Sequence, residues 1–176
     1  MSAGDITALE SVKWDWFVSC TVAVRGASDI FLKRKAFALL RKIARQQGIW
    51  FPSLPFALRI ESGIDPDHRH FHFLVGSLRS VEQNERFWLM DAWGRVLGST
   101  PDRVRGTCRC RLYDPAAGLA GYLAKALNGA EVQAWRDGQD VVLSRAAWRI
   151  AWHKHRRVPG AVLCEGASLR PSALLS

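Results

Sequence analysis

The chain has 176 residues, of which 48% are hydrophobic, so it is long and apolar enough to fold as one domain with a sizeable core. Its 25 basic and 16 acidic residues give a net charge of +9, which favours a polyanionic partner such as nucleic acid or an anionic membrane surface. No apolar run is long enough to cross a bilayer, and the first residues lack the basic and apolar parts of a secretory signal. We therefore expect a cytoplasmic protein.

The first half of the chain predicts a strand, a helix and a hairpin, which follow a loose leader over residues 1–13. A β-rich run at 16–24 is typical of a buried strand. Residues 28–48 predict the first helix, because Ser28 and Asp29 can open it, its apolar residues have helical spacing, and Gly48 fits its end. Residues 56–61 and 68–75 predict two antiparallel strands, because the residues between them favour a turn.

The second half of the chain predicts two more strands and three helices. Amphipathic spacing indicates a helix at 80–97 with one apolar stripe. A strand at 103–112 and a helix at 116–128 come next. A short strand at 141–143 and a basic helix at 144–155 complete the predicted elements.

This order of elements predicts an α+β fold: a ferredoxin-like or RRM-like antiparallel sheet with helices packed on it. We assign residues 14–158 to one domain, which lies between the leader at 1–13 and an irregular tail at 159–176. In the last helix, the spacing of Trp148 and Trp152 favours a place in the core over a platform for stacked bases.

The four cysteines give no sign of a zinc ribbon, because they contain no C-x-x-C pair. They are Cys20, Cys108, Cys110 and Cys164. Cys108 and Cys110 share one face of a predicted strand, and we expect them to be small core residues with reduced thiols.

The segment 103–112 alternates between basic and apolar residues, which is the pattern of a strand with one charged face. The charged face carries Arg103, Arg105, Arg109 and Arg111, and the apolar face carries Val104, Cys108, Cys110 and Leu112. Such an arginine row could follow a nucleic-acid backbone, and a merely solvated face is the alternative.

Histidines occupy alternate positions at the start of the predicted hairpin's second strand. Because successive side chains of a strand point to opposite faces, His68, His70 and His72 share one face, and the phenylalanines between them share the other. His68 is nearer the turn and ranks below the other two as a ligand. One face is thus suited to a core, and the other presents imidazoles side by side.

A tight turn with an even number of residues would bring Glu61 directly opposite His70, on the same face. Glu61, His70 and His72 would then cluster, and mixed oxygen and nitrogen ligands without thiolate favour Mg²⁺ or Mn²⁺ over zinc. Three protein ligands would leave positions open for a substrate. A register slip of one residue would move Glu61 to the wrong face, and histidines that bind nothing are the alternative.

Tyr122 and Lys125 are three residues apart, so they project from one face of the predicted helix at 116–128. A tyrosine phenol is mostly protonated at neutral pH, but it can attack a phosphodiester if a metal polarises the phosphate. Lys125 could hold a phosphate or stabilise the phenolate. A tyrosine that only packs is the usual alternative.

Three motifs together resemble those of the HUH endonucleases, in the branch of single-tyrosine rolling-circle replication initiators. His70-Phe71-His72 resembles the HUH motif, Phe17-Val-Ser-Cys-Thr-Val22 resembles the first-strand motif, and Gly121-Tyr122-Leu-Ala-Lys125 resembles the third motif. They occur in the family's order and span roughly residues 14–128.

The resemblance implies an HUH endonuclease fold, with a divalent ion held by His70, His72 and an acidic residue, here Glu61. It further implies that Tyr122 attacks single-stranded DNA or an origin hairpin, with Lys125 as an auxiliary, and leaves a 5′-phosphotyrosine and a free 3′-hydroxyl. This reaction initiates rolling-circle replication and later rejoins the strand. Because the chain has no Walker A phosphate loop, a separate helicase would be needed. No membrane partner is implied.

Three other functions remain open. A single-tyrosine HUH transposase shares the same chemistry, whereas relaxases usually place the tyrosine before the histidines. A non-catalytic RRM-like module would use the same sheet, although the aromatic signature of that class is missing. A metal-dependent hydrolase would use water as the nucleophile and release a free 5′-phosphate.

Overall fold

Five strands form one antiparallel sheet in the computed structural model, which describes residues 9, 11–24, 26–61, 69–117 and 141–156. The strands are β1 (Trp14–Val22), β2 (Phe56–Glu61), β3 (Arg69–Gly76), β4 (Cys108–Leu112) and β5 (Val141–Leu143). Their order across the sheet is β4-β1-β3-β2-β5, and all neighbours are antiparallel. The predicted α+β class is confirmed, and this order is compatible with a ferredoxin-like arrangement.

Three α-helices lie within the described ranges: α1 (Asp29–Gln46), α2 (Gln83–Leu97) and α3 (Arg145–Arg156). The side chain of Ser28 accepts a hydrogen bond from the backbone N–H of Phe31, so it caps α1 as its position predicted. Gly98 ends α2 in the left-handed conformation, with φ of 69°. None of the helices described is long and apolar enough to cross a membrane.

Helices α1 and α2 pack on one face of the sheet and form the main core. The alternate residues of β1 and β3 supply its floor, and Phe71 meets the indole of Trp93 edge to face, with ring centres 5.2 Å apart. Both side chains are fully buried. Burial of each large side chain contributes about 1.5–3 kcal/mol, which makes this layer the main source of stability.

Helix α3 packs on the opposite face of the sheet, over one end only. The small side chain of Ala147 packs in a second core. The other buried residues of this core are Leu9, Val12, Trp14, Phe17, Ala57 and Leu74. Leu9 and Val12 belong to the stretch predicted to be loose, yet they are buried. The indole N–H of Trp14 donates to the carbonyl of Leu9 at 2.8 Å, which ties this stretch to β1.

The prediction that Trp148 and Trp152 lie in the core is wrong. The two indoles are 37% and 42% exposed. Alanines form the buried face of α3 instead, at positions 146, 147 and 151. Small side chains let the helix approach the sheet closely, and the tryptophans are left on its outer side.

The predicted strand at 103–112 is wrong in its first half, because β4 begins at Cys108. The carbonyl of Thr21 accepts a hydrogen bond from the indole of Trp93, and the N–H of Thr107 donates to the Thr21 hydroxyl instead. The N–H groups of Thr21 and Ala23 still donate to the carbonyls of Thr107 and Arg105, at 2.8 and 2.7 Å, so only one half of the ladder is lost before Cys108. Arg103 lies in a turn, where it pairs with Thr100.

Several predicted features lie outside the described residues. They are most of the helix at 116–128 with Tyr122 and Lys125, the turn with His68, Cys164, and the tail at 159–176. Residues Pro115–Ala117, at the start of that predicted helix, form a 3₁₀ turn. The fold therefore positions the histidine strand, and the tyrosine motif remains a prediction from the sequence.

Candidate metal and nucleic-acid site

The sheet face opposite α1 and α2 carries its side chains in rows, because residues in register on neighbouring strands share a face. The first row is Arg111, Phe17, Leu74 and Ala57. The second row is Arg109, Ser19, His72 and Arg59. The third row is Thr21, His70 and Glu61. Successive rows are about 7 Å apart along the strands.

The rows change from apolar to polar along β3. The first row contributes Phe17, Ala57 and Leu74 to the second core beneath α3. Beyond it, the second and third rows present imidazole, hydroxyl and guanidinium groups. The polar rows therefore lie on the same face as α3, beyond the buried apolar row.

The imidazoles of His70 and His72 lie next to each other on this face, and both are partly buried. Their ring centres are 5.4 Å apart, and their planes are inclined by 78°. His72 also stacks on Phe17, with ring centres 5.4 Å apart and planes inclined by only 11°. This stack restricts the rotation of the His72 ring, so the first row helps to orient the second.

Glu61 pairs with His70 in the antiparallel ladder of β2 and β3. The predicted register of the hairpin is therefore confirmed. A shift of one residue would have placed Glu61 and His70 on opposite faces. Register is the property on which the predicted cluster of one carboxylate and two imidazoles depends.

An ion pair holds the start of β3 next to the histidines. The guanidinium of Arg69 pairs with the carboxylate of Asp29, in the first turn of α1, and also donates to the carbonyl of Ala27 at 3.4 Å. Arg69 directly precedes His70, so this contact positions the first imidazole. Sequence reasoning missed it, because nothing in the spacing of Asp29 and Arg69 indicates that they meet.

The two imidazoles fit a divalent ion in their spacing. Rings that coordinate one ion through nitrogens about 2.1 Å away keep their centres roughly 5 Å apart. The separation of His70 and His72 is 5.4 Å. Among the side chains that the structure describes, no three His, Cys, Asp or Glu residues come together as a metal site. The described site is thus an imidazole pair, with Glu61 opposite it by register.

Arginines give this face a positive charge. Arg109 and Arg111 are exposed, and the guanidinium of Arg111 lies 5.3 Å from the centre of the Phe17 ring. Arg59 is directly opposite His72 but only 2% exposed. The two exposed guanidiniums are therefore available to phosphate oxygens, which they can bind through two parallel hydrogen bonds.

The other two predicted DNA-binding arginines do not belong to β4. Arg103 is exposed in its turn, and Arg105 is partly buried, with its carbonyl bonded to the N–H of Ala23 at 2.7 Å. The structure thus brings His70, His72 and Arg109 to neighbouring rows, and it separates Arg103 from them.

No protein-family profile matches this chain, and no curated protein matches it.

Proposed function

We propose that this chain is a metal-dependent endonuclease of the HUH type, which nicks single-stranded DNA and rejoins it in rolling-circle replication. The observation that supports it best is the confirmed register of the hairpin. Glu61 is in register with His70, and His72 is one row further along β3, so the pairing of the strands is the one that a site of Glu61, His70 and His72 needs. The order of the first four strands supports the ferredoxin-like arrangement of such an enzyme.

His70, His72 and Glu61 would hold Mn²⁺ or Mg²⁺ in this proposal. The ion would supply polarisation of a phosphate oxygen. Phe17 keeps the His72 ring in one orientation through its stack. Arg109 and Arg111, both on β4, bind phosphates of the strand at one side of the imidazole pair, over which the scissile bond lies.

Tyr122 is the proposed nucleophile, and Lys125 the group that stabilises its phenolate. The phenol oxygen forms a bond to phosphorus as its proton is lost, and the bond from phosphorus to the 3′-oxygen breaks. The departing oxygen takes up a proton and becomes a free 3′-hydroxyl, and the 5′-phosphate stays on the tyrosine. Attack by a 3′-hydroxyl reverses these steps and reseals the strand. A single-stranded origin or origin hairpin is the proposed substrate, opened by a separate helicase.

A covalent adduct tests this function directly. The protein is incubated with Mn²⁺ and a 5′-randomised single-stranded DNA library, and adducts are collected after denaturation. We expect a protein–DNA adduct that disappears in Tyr122→Phe and with chelator. Released DNA with a free 5′-phosphate and no adduct would instead identify water as the nucleophile.

A non-catalytic binding module is the second candidate, and one observation favours it. Arg109 and Arg111 are exposed on β4 at the edge of the sheet, and exposed guanidiniums are sufficient to bind a strand without any cleavage. Binding that persists in a His70→Ala, His72→Ala, Tyr122→Phe variant, with no adduct from the unmodified protein, would favour this alternative.

A further inference from the structure

The outer side of α3 combines two exposed tryptophans with arginines. Trp148 and Trp152 are 37% and 42% exposed and are one helical turn apart. Arg145 and Arg149 have the same spacing and are also exposed. Residues three and four apart are neighbours on a helix surface, so indoles and guanidiniums alternate along this side. The proposed nicking mechanism uses none of them.

A cavity of about 420 Å³ adjoins this side of α3. Its lining combines three basic side chains of α3 with two serine hydroxyls and three apolar side chains: Arg149, His153, Lys154, Ser53, Ser77, Pro55, Ala146 and Ile150. Hydroxyl, guanidinium and ammonium groups are the donors that bind phosphate oxygens. Trp50, just ahead of the 3₁₀ turn that supplies Ser53, is 75% exposed. A cavity with three basic side chains at its wall and exposed indoles thus occur together.

We propose that α3 and this cavity form a second binding site for single-stranded nucleic acid, in which a phosphate enters the cavity and adjacent bases stack on Trp148 and Trp152. The ligand class rests on the proposed function, but the site does not depend on cleavage. Aromatic stacking beside a positive groove is how proteins hold single strands without reading their sequence. The site lies over the apolar first row, so it would hold a part of the strand other than the scissile phosphate.

The arrangement favours nucleic acid over a membrane surface. A helix that lies on a membrane places its apolar residues on one side and its basic residues on the other. In α3 the apolar side, with Ala147 and Ala151, is buried. The exposed tryptophans share the outer side with Arg145 and Arg149. Each of these indoles has an arginine beside it. This arrangement suits a nucleic-acid strand, in which bases that can stack alternate with phosphates that can pair with arginine.

Fluorescence anisotropy with a labelled oligothymidine tests the site, in the presence of chelator so that cleavage plays no part. We expect Trp148→Leu to weaken binding at least about fivefold, the low end of the range for loss of one stacked base. Trp148→Phe, which keeps an aromatic ring, should restore most of the affinity. An oligomer of abasic sites should bind the Trp148→Leu variant and the unmodified protein equally.

Charge is tested by comparing Arg149→Ala with Arg34→Ala, which removes the same charge from an exposed position on α1. Arg149→Ala should reduce the slope of log affinity against log salt by about 0.7, the value for one phosphate contact on a single strand. Arg34→Ala should leave the slope unchanged.

Two results would overturn the proposal: an affinity of Trp148→Leu for oligothymidine equal to that of the unmodified protein, or equal salt slopes for Arg149→Ala and Arg34→Ala. Because the assay measures binding and the adduct assay measures cleavage, failure of one is distinguishable from failure of the other.

Discussion

The imidazole of His72 lies nearly parallel to the ring of Phe17, with planes inclined by 11° and ring centres 5.4 Å apart. The two residues belong to adjacent rows on neighbouring strands, so an apolar ring orients the candidate ligand. The same Phe17 ring contacts the guanidinium of Arg111 on its other neighbour, β4. One buried aromatic residue therefore links the imidazole pair to the basic edge of the sheet.

Phe17→Leu is expected to lower the affinity for Mn²⁺ by about tenfold, because groups that orient a metal ligand have effects of this size when they are removed. Isothermal titration calorimetry measures it. Phe17→Tyr keeps the ring and serves as the matched control, with an affinity close to that of the unmodified protein. Equal loss in both variants would assign the effect to packing of the second core.

The imidazole pair itself can be tested against a histidine elsewhere on the surface. We expect His70→Ala or His72→Ala to abolish saturable Mn²⁺ binding. The described site has one pair of imidazoles, and either substitution leaves a single nitrogen ligand. His153→Ala on α3 is the control and should bind Mn²⁺ as the unmodified protein does. Manganese binding that survives loss of both His70 and His72 would rule out this site.

Gln47 connects the end of α1 to the segment after β3. Its side-chain oxygen accepts from the N–H groups of Arg79 and Ser80, each at 2.9 Å, and its amide donates to the Ser80 carbonyl at 3.1 Å. Because Gln47 is buried, Gln47→Leu should leave these backbone groups unpaired and lower the free energy of unfolding by about 1–3 kcal/mol. Urea denaturation measures it, and the exposed Gln83→Leu should change it by less than about 0.5 kcal/mol.

The hairpin was predictable from sequence because alternation determines which face of a strand is buried. Phe71 and Phe73 had to face the core, so His70 and His72 had to share the other side, and only one register satisfies both strands. The caps of the helices were predictable for a similar reason. Ser28 and Gly98 each meet a local backbone requirement that depends on a few neighbouring residues.

Contacts between distant segments were not predictable in the same way. The indole of Trp93 donates to the carbonyl of Thr21, so the N–H of Thr107 does not bond to that carbonyl, and the regular strand begins at Cys108 rather than at residue 103. The exposure of Trp148 has a similar origin. Helical spacing indicates which residues share a side of α3, but the sheet selects the alanine side for burial.

Gly106 marks the close approach of the segment before β4 to β1. A Cβ atom there would lie 2.2 Å from the carbonyl oxygen of Thr21 and 2.7 Å from the Cδ1 of Leu97. Gly106→Ala must shift the backbone, and we expect it to destabilise the protein by about 1–3 kcal/mol. Gly94→Ala is the matched control, because its Cβ would meet nothing closer than 3.9 Å. That variant lies inside α2 and should stabilise it by up to about 1 kcal/mol, so both can be compared in thermal melts.

Three cysteines on neighbouring strands provide a test by pH. Burial raises the pKa of the Cys110 thiol to about 12, with a smaller contribution from Cys108, and burial also raises the pKa of Cys20. An unfolded thiol ionises near pH 8.5, so between that pH and about 12 the unfolded state has lost a proton that the folded state keeps. The contribution of the protonated Cys110 thiol to the free energy of unfolding is therefore fully present below pH 8.5, and it is lost as the pH rises toward 12.

We expect the urea midpoint of the unmodified protein to fall from pH 8 to pH 10 more steeply than that of Cys110→Ala, which has no such thiol to ionise. In a matched chemical test at pH 8, iodoacetamide should modify Cys20 and Cys110 only after urea unfolding, because the protonated thiol is a poor nucleophile. Peptide mass spectrometry measures both sites in one sample. Rapid modification of the folded protein at Cys110, or parallel pH curves for the two proteins, would show that this thiol is not held in its protonated form by the fold.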